Sequence, residues 1–300
     1  MLFATFVPIM PREGVDMRKS AVAGRFYQGT AAGLRSQIEA CFMHPMGPGR
    51  LPHTPGTAAK RTLGLVSPHA GYAYSGPVAA HGFLHISSEP APPVVIIIGP
   101  NHYGVGPMVA VSEEDRWQTP LGDVIVDVAT GAEIVANSHR AAFDDQAHVW
   151  EHSVEVQLPF LQYVYGDGFR AVLISMLEQD LTTSQDLGNA IAATLRNRDG
   201  LVIASTDFTH QEPVSVANKK DKMVLDTILA LEPDRTEEVV LARKVSMCGP
   251  GPVMAMIFAC KELGAGHARL LHYGTSGDIT GDPDVVGYAS VAIMSGQPSR

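Results

Sequence analysis

Cysteine is scarce in this chain: Cys41, Cys248 and Cys260 are the only three in 300 residues. A set that is odd in number and sparse excludes a disulfide framework and fits a reducing compartment, so the expected location is cytoplasmic. No C-x-x-C pair occurs. Basic charge is also short, with 22 Lys and Arg against 31 Asp and Glu and a formal net charge of −9. A nucleic-acid-binding surface needs clustered Lys and Arg. Here Lys60-Arg61 and Lys219-Lys220 are isolated basic pairs, so no nucleic-acid partner is expected. Long apolar runs are missing too. The opening "MLFATFVPIM" is too short to span a bilayer and has no basic residue before it, unlike a secretory signal. No membrane partner is expected. Residues 1–16 read as a disordered extension, with Met17 as an alternative start, and residues 17–297 as one α/β domain. There is no G-x-S-x-G elbow, no Walker loop and no G-x-G-x-x-G after a strand. Serine-hydrolase chemistry and nucleotide binding therefore lack support.

The composition that remains is globular: 45% hydrophobic and 18% charged. Such a chain can bury a sizeable core. Twelve histidines stand out beside so few cationic residues, because histidine is the commonest metal ligand and the usual proton carrier near neutral pH. Periodicity predicts alternating strands and helices. "TLGLVS", "VVIIIGP", "FRAVLISM" and "LVIAST" read as buried strands, the second apolar on both faces. Helices are predicted over residues 30–42, 76–86, 129–138, 153–166, 182–196, 216–231, 235–242 and 252–263. Pro159 falls inside the fourth, where it costs about 3 kcal/mol unless a kink is accommodated. "MVAVS" and "DVIVD" read as short strands, the second after the turn "TPLG", and "ARLLHYGTS" and "VGYASVAIM" close the chain as strands. This is an α/β pattern: a single mixed sheet with helices on both faces. The Pro/Gly-rich stretch from His44 to Thr57 reads as a surface loop with His44 and His53 solvated.

Ligands of open α/β sheets sit beyond the carboxyl ends of the strands. "TLGLVS" is followed by "PHAGYAYSG", "VVIIIG" by "PNHYG" and "LVIAS" by "TDFTHQ". Each tail brings a histidine, namely His69, His102 and His210. "EHSVEVQ" adds Glu151 and His152, and "MCGPGP" places Cys248 at the mouth of an apolar helix. A metal needs ligands held rigidly on different segments. Two imidazoles and a thiolate suit Fe, Cu or Zn rather than Mg or Ca. Each residue has a structural alternative. A strand-end histidine often bonds only a carbonyl, and Cys248 alone is more often a small buried hydrophobe. A helix start would lower its pKa. Asp207 suits a helix cap, and Glu151 and Glu155 suit exposed charges in a first turn. Tyr72 and Tyr74 suit wall packing, and Cys41 and Cys260 the core. His81 and His85 are four apart on one helix with no third ligand in sequence, and His139, His148, His267 and His272 have no companion motif.

Across "AVAGRFY", "SPHAGYAYSGPVAA", "GPNHYG", "TPLG", "EHSVEVQLPFL", "STDFTH", "CGPGPV" and "GYAS" the chain resembles the Memo family, also called AmmeMemoRadiSam system protein B. The resemblance runs in order from about Arg18 to Ile293. It implies a fold similar to class III extradiol dioxygenases and a pocket whose metal ligands are His69, His102 and Cys248. His210 and Asp207 are implied to line the same pocket. The dioxygenases have a carboxylate where this family has cysteine, and a thiolate prefers softer metals. The expectation is a redox enzyme using Fe(II) or Cu, with Zn less suited, on an unknown small-molecule substrate. His210, His152 and Asp207 are its candidate catalytic groups, His152 or His210 as proton carrier. The alternative is a peptide- or metal-binding scaffold without turnover. A radical-SAM protein and a third small protein are the partners the resemblance implies.

Overall fold

A computed structural model describes residues 17–52 and 61–296. The extension read over residues 1–16 and the solvated His53 lie outside the described residues. In chain order the elements begin with β1 (Met17–Arg18), α1 (Ala31–Met43), β2 (Thr62–Ser67), α2 (Gly76–Ser87) and β3 (Val94–Pro100). Then come β4 (Val109–Val111), β5 (Arg116–Thr119), β6 (Gly122–Ile125), α3 (Val128–Asn137) and β7 (Ala141–Phe143). The alternation continues with α4 (Leu158–Tyr165), β8 (Arg170–Met176), α5 (Leu181–Leu195) and β9 (Gly200–Ser205). The last part holds β10 (Glu212–Pro213), α6 (Val214–Leu229), α7 (Pro233–Arg243), α8 (Pro250–Glu262), β11 (Ala265–Thr275), α9 (Gly277–Thr280), β12 (Asp284–Val285) and β13 (Gly287–Ser295).

Eight strands form one mixed sheet in the order β11-β13-β2-β9-β3-β8-β4-β7. Its centre, β2, β9, β3 and β8, is parallel throughout. β13 and β11 extend it antiparallel on one side, and β4 is antiparallel to β8 on the other. Because the central strands run the same way, the tails of β2, β3 and β9 emerge on one edge. The aliphatic runs are buried on both faces. Val66, Ile96, Ile98 and Val172 pack with side chains of α5 and α8, while Leu65, Val95, Ile97 and Leu173 pack with α1, α2 and α4. This is the mixed α/β sheet with helices on both faces expected from the alternation. No helix among the described residues is long and apolar enough to cross a membrane.

Local chemistry sets several boundaries. Thr30, Asp127 and Asp180 cap α1, α3 and α5 by accepting from a backbone N–H three residues on. The helix expected over residues 153–166 is shorter. A 3₁₀ turn, Glu155–Gln157, precedes α4, which starts at Leu158. Pro159 therefore stands in the first turn, where its missing N–H has no intrahelical partner to lose, and the interior cost does not arise. The turn "TPLG" joins β5 to β6 as an antiparallel hairpin, and β1 lies parallel against β5.

Candidate metal centre

His69 and His102 stand two residues past β2 and β3, and His152 arrives on the segment leading to α4. The donor nitrogens of these three histidines lie within 4.8 Å of one another. His102 and His152 stack with ring centroids 4.7 Å apart, and the His69 ring stands edge-on to both. Phe26 covers the other side of His152 at 4.7 Å. His69 is buried, His152 half-buried, and His102 opens to solvent.

Hydrogen bonds select the tautomer of two of them. Ser205 Oγ donates its one proton to the Ser153 carbonyl at 2.6 Å and accepts from Gln157 Nε2 at 2.8 Å. It can therefore only accept from His69 Nδ1, 2.9 Å away. That leaves the lone pair on His69 Nε2. Glu151 Oε1 lies 2.9 Å from His102 Nδ1, and an ionised carboxylate only accepts, so His102 Nε2 is bare as well. This is the carboxylate–histidine arrangement that orients metal-ligating imidazoles.

Glu151 is fully buried, not an exposed first-turn charge. Burial alone would raise its pKa. The His102 side chain and the backbone N–H groups of His102 and Ser153 instead hold it well below the usual carboxylate range. Its Oε1 also accepts from the His152 amide at 2.9 Å. Burial, followed by the charge of the neighbouring imidazoles, lowers His69. Burial lowers His152 to about 4. Both shifts favour the neutral, ligating form.

Cys248 brings its sulfur 3.2 Å from His69 Nε2. The Asp207 amide donates to that sulfur at 3.1 Å. The thiol is half-buried. Its pKa is not lowered as the helix start suggested: burial, then the Asp207 carboxylate, pushes it well above the ordinary thiol range. A cation at the histidines would oppose both effects. Gly249 lets α8 begin this close to β9, since a Cβ there would stand 2.8 Å from the Ser205 carbonyl oxygen.

Asp207 caps no helix. Its Oδ1 accepts from the His69 amide at 2.8 Å, and burial pushes the carboxyl up to about 6. His210 stands outside the group of three. Its Nδ1 faces the carbonyls of Phe208 and Ser246 at 2.7 and 2.8 Å, so Nδ1 carries the proton and Nε2 is free. Beside it, Gln211, Tyr74 and Tyr288 line a depression of about 450 Å³. Tyr74 and Tyr103 are 46% and 53% exposed. Tyr72 is wall packing as expected, its hydroxyl donating to the Val156 carbonyl at 2.6 Å.

Glu155 turns inward too, but toward the start of the chain. Its carboxylate accepts from Arg18 Nη1 at 2.6 Å, the Ala21 and Val22 amides, and the Tyr27 hydroxyl at 2.5 Å. Sequence reasoning missed the residues that hold the ligands, namely Ser205, Gln157 and Ser153. The available signal was a hydroxyl at the last buried position of an aliphatic strand. Cys41 and Cys260 are core, as expected.

An α/β sheet whose parallel strands deliver histidines to one edge, where a cysteine at the start of α8 meets them, defines a protein with a candidate transition-metal pocket. The family model described as Memo-like protein matches residues 18–292, and the chain belongs to that family. A MEMO1 family protein of Methanopyrus kandleri is 47% identical over 93% of this chain and 99% of its own. One of Ignicoccus hospitalis is 46% identical over 92% and 98%. The crystal structure of an uncharacterized protein from Escherichia coli K12 superposes with a TM-score of 0.53 at 14% identity. It covers 78% of this chain and 100% of that one, a likeness of fold alone.

Proposed function

We propose that the protein is a metal-dependent oxidoreductase, using Fe(II) or Cu, that acts on a small molecule bound beside His69, His102 and Cys248. The observation that carries this reading is the pair of bare Nε2 atoms on His69 and His102, each fixed by a buried partner of its Nδ1. The donor set fits: imidazole and thiolate suit Fe, Cu or Zn. His69 and His102 would hold the metal, with Cys248 or His152 as the third ligand. The metal when bound would supply redox chemistry at an open position. Glu151 keeps His102 in its ligating tautomer, and Asp207 fixes the backbone that carries His69. His210, with Nε2 free, is the group that would pass a proton to or from that substrate.

A zinc hydrolase would need a free carboxylate base. Glu151 and Glu155 both point inward, yet each is already bonded to several donors. A second reading, ligand binding without turnover, draws on the exposed rings of Tyr74 and Tyr103. Metal analysis of anaerobically purified protein separates the two. Near-stoichiometric iron or copper that is lost in His69→Ala/His102→Ala supports the redox reading. Metal-free wild type that still binds a peptide or small ligand supports the second.

A further inference from the structure

A separate basic cavity lies at the opposite end of β2. Thr62 begins that strand and His69 follows its end, so the two places are roughly 20 Å apart at 3.3 Å per residue. Thr62 Oγ1 donates to Glu89 Oε1 at 2.8 Å. It must then accept from His85 Nε2, 3.2 Å away. The remaining lone pair of His85, on Nδ1, accepts from Arg269 Nη2 at 3.2 Å. One helical turn earlier, His81 donates from Nε2 to the Met46 carbonyl at 2.9 Å. It stacks on His272 with centroids 4.2 Å apart and rings 8° from parallel. Arg50, on the loop after α1, completes the rim. Arg50, His81, His85, Ser88 and Arg269, with two leucines, line about 220 Å³.

No carboxylate is among those lining residues, in a chain whose net charge is −9. Glu89, the carboxylate closest in the chain of bonds, is buried and held by the Thr62 amide and hydroxyl. Among the described residues the hydrogen-bond chain keeps Arg269 in place through His85 rather than through an acidic partner, so its charge is not cancelled there. The volume is below the roughly 300–1,000 Å³ of sites for drug-sized ligands. It suits one tetrahedral oxyanion and a few attached atoms.

We propose that this cavity binds the phosphate group of a small phosphorylated molecule, with Arg50 and Arg269 as its principal donors. Two guanidinium groups present planar forks of N–H donors that match phosphate oxygens in pairs. The apolar lining from Leu84 and Leu271 would receive the carbon part of the ligand.

The test is calorimetric titration of the full chain with inorganic phosphate and with glycerol phosphate. Wild type is compared with Arg50→Ala/Arg269→Ala and with Arg50→Glu alone, a change at an exposed rim position that leaves the His85 contact intact. Saturable binding that weakens about tenfold or more in both variants, with metal content unchanged, is the expected result. Equal binding in wild type and variants places the phosphate elsewhere and overturns the proposal, as does absence of binding by wild type. Vesicles of phosphatidylcholine with phosphatidic acid form a third arm. Arginine-dependent vesicle binding without binding of either soluble phosphate would assign a lipid surface instead, and the proposal would fall. Phosphate binding and metal retention are read by separate measurements, so this inference and the redox reading fail separately.

Discussion

Two groups of three histidines stand at opposite ends of β2, and their surroundings differ in kind. In the first group the buried carboxylate of Glu151 accepts from His102 and from the His152 amide, and the Ser205 hydroxyl accepts from His69. In the second group Arg269 donates to His85, the Met46 carbonyl accepts from His81, and His272 stacks on His81. In the first group each Nδ1–H that is fixed points away from the centre, so lone pairs converge. In the second, His85 uses both nitrogens, Nε2 donating to Thr62 and Nδ1 accepting from Arg269, so it offers no lone pair to a common point. Histidine count therefore says little about metal binding. What decides it is where the second nitrogen of each ring is held, and by what charge.

The comparison can be broken most decisively at its first member. His69→Ala/His102→Ala should lose metal retention entirely, and full occupancy by elemental analysis would refute the assignment. Glu151→Gln should weaken metal affinity about 10–100-fold. It should also lower stability by about 2–4 kcal/mol in urea unfolding, since an amide NH₂ would face buried N–H donors. Gly99→Ala should lower stability by about 1–3 kcal/mol, because a Cβ there would meet Ser153 Oγ at 2.2 Å, and that hydroxyl is held by the Pro100 carbonyl. Ser205→Ala should weaken metal binding by about tenfold, by removing the acceptor that fixes the His69 tautomer. A competitive chelator titration would read it, and unchanged affinity would count against the tautomer argument. The smallest effect belongs to the second group. His272→Ala should leave metal content unchanged and lower stability by about 1 kcal/mol through the lost ring stack.

The sheet was legible because its centre is built from continuous β-branched runs such as "VVIIIGP", whose burial on both faces allows few other readings. The site edge followed from it, since parallel strands must deliver their tails to one side. That logic placed His69 and His102 together, and it set His210 on the same edge but could not say that its Nδ1 would be held by carbonyls. His152 and Glu151 were harder, because a carboxylate before a helix looks the same in sequence whether it caps, faces water or is buried against a histidine. Burial by distant segments decides that, and nothing local reports it. The short strands β1, β5, β7, β10 and β12 were missed for a related reason: two to four residues carry too little period. Cys248 shows the limit in another form. The helix start argued for a thiolate, but desolvation and the Asp207 carboxylate outweigh it.

Glu155 gathers Arg18, Ala21, Val22 and Tyr27 from the first part of the chain, with the Arg18 guanidinium also resting 3.9 Å over the Trp117 ring. Arg18 and Glu155 are 137 residues apart in sequence. During synthesis at about 5–20 residues per second, the early segment must wait roughly 7–27 s for its anchor to be made. β2 waits longer still, because its two neighbours in the sheet, β9 and β13, come from the last third of the chain. The nascent protein thus carries an uncompensated cation until about half of it has emerged and an incompletely paired aliphatic strand until nearly all of it has, which makes the growing chain a natural client for co-translational chaperones.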